Sequence, residues 1–116
     1  MLHSSELIEK VKTQPQTIGF NDTMATIDNE YEFQAASFKN GEQVNEAGQN
    51  NGSCKIFTFA KLHNLDASST LALFGDFYRV DVLEHPEAQD HQNIRQFMIH
   101  GWDGVSFESI SLTPKG

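Results

Sequence analysis

The sequence predicts an α+β domain, dominated by about five helices with a small antiparallel sheet, and three observations carry that reading. Apolar residues recur at helical spacing over much of the chain, as in Phe20, Met24, Ile27 and Tyr31. Two stretches near the C-terminus, "VSFE" and "ISL", alternate instead and read as strands. Between them, Pro15, Pro86, Gly101 and the turn-rich "NGEQVNEAGQNNG" cut the helical pattern into pieces. With 116 residues and no repeat, low-complexity tract or linker, the chain reads as one domain over 1–116.

The first helix is expected at about residues 4 to 13, where Leu7, Ile8 and Val11 form an apolar stripe that Pro15 ends. A second follows Asn21 as its N-cap and turns Asp22, Asp28 and Glu30 outward. Residues 32 to 39 read as an edge strand and the stretch after them as a long loop. Ser53 is expected to N-cap a helix to about His63, and Asp66 another that reaches about Val82 before Pro86. Both are apolar over much of their circumference, which makes them the central pair. Asp90 is expected to cap a last helix with Ile94, Phe97 and Met98 inward. Gly101 supplies its stop, and His100 suits the negative helix end.

Composition excludes several classes of function. The chain is 38% hydrophobic with nine Phe, enough apolar material for a core of its own. Sixteen acidic against eight basic residues give a net charge of -8, which opposes attraction to nucleic-acid phosphates and anionic lipid. The longest apolar runs, such as "LALF", are too short to span a bilayer, and "MLHSSELIEK" lacks the apolar core of a Sec signal peptide. The chain therefore reads as soluble and not Sec-exported. A single cysteine, Cys54, makes no intramolecular disulfide.

The stretches "AGQNNGSCKIF", "LALFG", "YRVDVLEHP", "DHQNIRQFMIHGW" and "LTP" together resemble the HopJ type III effector family over nearly the whole chain. That resemblance implies a small bacterial protein, resident in the cytoplasm or delivered into a host cell by a type III secretion machine. It implies no catalytic or binding residues and no cofactor.

The candidate site is the start of the helix after "GQNNG". At about 100° per residue, Cys54, Thr58 and Lys61 fall on a flank beside the apolar face, which would leave Cys54 partly exposed. The first turn of a helix and the cation of Lys55 favour a thiolate there, as a nucleophile requires. Against this stands the common fate of a free cysteine, burial as a small hydrophobe. His63 lies nine residues on, about 13 Å along the helix, and cannot serve as the base. In the catalytic reading the base must come from His85, His91 or His100, with Asp81 or another carboxylate to orient it. The triad taken is Cys54, His91 and Asp81, the last falling on the apolar side with Phe74, Phe77 and Tyr78. An inward Asp81 needs a partner, Arg95 or another cation among the candidates.

The same turn also suits a binding site formed by Asn50, Asn51, Ser53 and Lys55, where successive amides could hold an anion. It is not a P-loop, because three residues rather than four separate its glycines. Helix capping alone would explain the same residue types. "EHPEAQDH" gathers Glu84, His85, Glu87, Asp90 and His91 in one loop, at spacings that match no zinc or calcium signature, so no metal is expected. Trp102 is expected as a lid over the last helix. The leading functional reading is a non-enzymatic interaction protein that engages a host or bacterial protein through the 40 to 55 loop and its acidic surface. The alternative is a small enzyme with Cys54 as nucleophile.

Overall fold

The computed structural model describes residues 3–115. α1 (Ser4–Thr13) buries Leu7 and Val11 as its spacing predicts. α2 (Phe20–Glu30) begins ahead of Asn21, because the Asp22 carboxylate reaches back to accept the Gly19 N–H at 3.1 Å and makes Gly19 the cap. α3 (Asn51–Leu62) likewise starts earlier than Ser53 would place it. Its N-cap is Asn50, and Ser53 sits inside the first turn.

The expected single edge strand over 32–39 is two strands. β1 (Tyr31–Phe33) pairs antiparallel with the C-terminal β5 (Leu112–Pro114). β2 (Phe38–Asn40) is the central strand of a second antiparallel sheet, between β3 (Gln43–Asn45) and β4 (Val105–Phe107). The expected loop thus contains a hairpin strand. Gly41, at φ 61°, supplies the positive φ that a two-residue hairpin turn requires.

α4 (Ala67–Ala72) is capped as expected, with the Asp66 side chain accepting the Ser69 N–H at 2.8 Å. It does not run on to Val82. Gly75 adopts φ 63°, and a Cβ there would lie 2.6 Å from the backbone nitrogen of Phe20. The chain therefore turns at Gly75 to let the start of α2 approach. Beyond it, Phe77–Val82 forms a π-helical turn, wide enough for the Leu83 N–H to reach the Tyr78 carbonyl at 3.0 Å.

α5 (Gln92–His100) is led by His91 rather than capped by Asp90, whose carboxylate instead holds Arg95 at 2.7 Å. Gly101 ends it at positive φ. Ile94 and Phe97 face the core, whereas Met98 is 43% exposed and lies outside it. The core centres on α3, where Ile56, Phe57, Phe59 and Ala60 are fully buried. The Phe57 ring packs at 4.9 Å from Phe97 and 5.5 Å from Phe74. Trp102 covers this cluster, 5.1 Å from Phe97, with its indole N–H donating to the Leu65 carbonyl at 2.9 Å. Among the described residues, no helix is long and apolar enough to cross a membrane.

Candidate functional site

A cleft of about 320 Å³ opens where the first turns of α3 and α5 approach the π-helical turn. Phe20, Phe74 and Phe77 form its apolar wall, and Asn50, Ser53, His91, Gln92 and Asn93 its polar side. Phe77 packs edge-on to Phe20 at 4.8 Å and lies 5.1 Å from the His91 ring. It remains 38% exposed, an aromatic side chain left open at the cleft.

Both helices that open onto the cleft begin abnormally. An N-cap residue usually has extended backbone. Asn50 at φ 52° and His91 at φ 51° are instead left-handed, a conformation that a histidine in particular adopts at an energetic cost.

Four asparagines hold this arrangement in place. Asn45 and Asn93, both buried, exchange side-chain hydrogen bonds in both directions at 3.1 and 3.0 Å. Asn40 donates to the Asn93 carbonyl at 2.7 Å, and Asn50 donates to Asn45 Oδ1 at 2.7 Å. The β2–β3 hairpin is thereby tied to the starts of both α3 and α5. Nothing local in the sequence marks Asn45 or Asn93, because their partners lie 48 residues apart. The hairpin itself had a signal in Asn40-Gly41, and Phe20 and Phe77 join the site only through the Gly75 turn.

Of the sequence-derived residues, the structure brings Asp81 and His91 together, with His91 Nε2 3.1 Å from Asp81 Oδ2. Asp81 does not point inward, its side chain being 42% exposed. The wide π turn displaces it from the azimuth a regular α-helix would give. Arg95 does not pair with its carboxylate either, donating instead to the Asp81 backbone carbonyl at 3.4 Å.

Cys54 is absent from this constellation. It is 1% exposed, on the side of α3 covered by the chain around Ala36 and Ser111. Its Sγ lies 3.5 Å from Ser111 Oγ and 3.8 Å from the Ala36 carbonyl, and no imidazole is among its hydrogen-bond partners. The flank expected to be open is closed because β5 returns alongside it and Ser111 also bonds Thr58 at 2.9 Å. The triad of Cys54, His91 and Asp81 is therefore not assembled.

The binding residues divide in the same way. Asn50 and Ser53 line the cleft, and Asn51 is exposed beside it. Lys55 turns away to pair with Asp28 at 2.8 Å and to lie over the Phe33 ring at 5.1 Å. No group of three His, Cys, Asp or Glu side chains among the described residues is arranged to hold a metal ion.

A second histidine pair sits away from the cleft. The Tyr31 hydroxyl and His63 Nε2 share a hydrogen bond at 2.8 Å. Burial, outweighing the nearby Glu30 carboxylate, lowers the His63 pKa below its ordinary value. Burial and then Glu30 raise the Tyr31 phenol above its own. Both shifts favour the uncharged form of each group.

Comparison with known proteins gives consistent results. The family described as HopJ type III effector protein matches residues 4–112. A solved structure described as "Crystal structure of unknown function protein VPA0580" is similar, with 51% sequence identity and a TM-score of 0.94. The match covers 96% of this chain and 92% of that one. None of the curated proteins matches.

Proposed function

Because the chain belongs to the HopJ type III effector protein family, we propose that it is a binding protein that captures a host or bacterial protein partner in the cleft between α3 and α5. The family description supports delivery into a host cell by type III secretion as its route to a host partner. The observation that carries the binding reading is the pair of left-handed residues, Asn50 and His91, that begin both helices at one cleft. Backbone strain of this kind costs on the order of 1–3 kcal/mol per residue and collects where a site needs the geometry. The π-helical turn beside it is a second irregularity of the kind found at functional sites.

The cleft, at about 320 Å³, is at the small end of ligand pockets. It suits one protruding side chain rather than a flat surface. An apolar group packs against the Phe20–Phe77 pair, and its polar end meets Asn50 and Gln92. The net charge of -8 favours a basic partner and makes association fall with salt.

Amide NMR shifts on titration with short basic peptides bearing one aromatic residue test this reading. Shifts are expected at residues 50–53 and 91–94. Peptides that shift only the surface around Leu83, Met98 and Ile99 would place the binding site elsewhere.

A further inference from the structure

We propose that the cleft is also an acyl-transfer site, with Ser53 as nucleophile, His91 as general base and Asp81 as the residue that orients His91, acting on small esters or thioesters. The inference shares its cleft with the binding reading and goes beyond it.

His91 Nε2 faces the Asp81 carboxylate at 3.1 Å, and Nδ1 has no protein partner among the described residues. In the neutral ring, a proton on Nε2 donated to Asp81 leaves the Nδ1 lone pair as the base. Phe77 packs on the ring at 5.1 Å and restricts its rotation. Ser53 lines the same cleft, is partly exposed, and its hydroxyl makes no hydrogen bond to another described residue. It is the nucleophilic side chain on this side of α3, whereas its neighbour Cys54 is turned to the opposite side and buried.

Ser53 and His91 make no hydrogen bond at rest. Catalytic contacts in unliganded proteins are commonly long and tighten on the bound substrate. Ser53 also lies within the first turn of α3, where the backbone N–H groups of Asn51, Gly52 and Ser53 have no intrahelical acceptor. Those groups are the available donors to an oxyanion.

The chemistry closes on these groups. Ser53 Oγ forms a bond to the acyl carbonyl carbon while its proton passes to His91 Nδ1. Collapse of the tetrahedral oxyanion breaks the bond to the alcohol or thiol, which leaves with the proton from Nδ1. Water then adds to the acyl-serine, giving its proton to Nδ1, and that proton returns to Ser53 as the carboxylic acid departs. Phe20 and Phe74 provide the apolar surface for a short acyl chain.

A short-chain alkyl fluorophosphonate, followed by peptide mapping, tests the assignment. One adduct per chain, on Ser53, is expected, absent in Ser53→Ala. His91→Gln should slow labelling by about 10²–10⁴-fold with the circular dichroism spectrum unchanged. Asp81 and Asp90, at 3.1 and 3.9 Å, are the charged groups that approach the His91 ring. Asp81→Asn should slow labelling because it turns the group facing His91 Nε2 from a carboxylate into an amide, and Asp81→Glu should restore most of the rate, a rescue that a purely structural role would not produce. No adduct, an adduct on another residue, or an unchanged rate in His91→Gln overturns the proposal. Peptide binding at residues 50–53 and 91–94 that persists without any adduct would leave the capture reading standing and remove only this one.

Discussion

Ser53 and Cys54 are neighbours in the first turn of α3, yet they belong to different environments. Ser53 opens onto the cleft with a hydroxyl that has no partner among the described residues, while Cys54 is 1% exposed with its sulfur against Ser111 and Ala36. One step along a helix rotates a side chain by about 100°, enough to separate a solvent-facing group from a buried one. Chemistry in this region is therefore decided by the cover on each side of α3. Intrinsic reactivity, which favours the thiol, is the weaker factor.

The largest expected break in this contrast comes from the core side. Phe57→Ala should lower unfolding free energy by about 3–5 kcal/mol in urea titrations, because Phe97, Phe74 and Trp102 cannot close over the space. Ser53→Ala in the same helix should stay within about 0.5 kcal/mol of the parent. Asn45→Ala ranks next, at about 1–3 kcal/mol, because Asn93 and Asn50 lose their partner. It should also weaken peptide binding at the cleft, which separates it from a purely core substitution.

Alkylation sharpens the comparison at its closest point. In folded protein, Cys54 should react at least about 10²-fold more slowly than in the unfolded chain, because reagent reaches it only through opening. Rapid labelling of the native state would mean that β5 does not cover this flank of α3.

The smallest effect belongs to the His63–Tyr31 pair. Burial lowers the folded-state pKa of His63 below 6.5, so the folded protein binds fewer protons than the unfolded chain. The stability this confers is present above pH 6.5 and is lost as pH falls through the folded value. A thermal-denaturation series across that window should show a fall that His63→Gln reduces, while Tm above the window changes little.

The parts of the fold legible in the sequence are those set by neighbouring residues. Leu7 and Val11 define α1, Asp66 caps α4, and Gly101 ends α5, each through contacts within a turn or two. Errors arose where a distant segment intervened. The start of α2 presses on Gly75 and breaks a helix that its apolar pattern would continue, and the π turn that follows moves Asp81 outward. The site was half legible for the same reason. Asp81 and His91 are ten residues apart and lie in contact, whereas Asn45 with Asn93 and Cys54 with Ser111 are joined across 48 and 57 residues. No periodicity encodes such pairs.

The four-asparagine cluster has a consequence in time as well as in space. It joins the β2–β3 hairpin to the beginning of a helix that lies near the other end of the chain, and closing so long a loop is slow relative to forming any single helix. The polar side of the cleft, at the starts of α3 and α5, is placed by that one closure. A chain with its helices formed but this cluster open has nowhere for a ligand to sit, so occupancy of the cleft reports completed folding, and a ligand that fits it would favour the finished molecule over every earlier state.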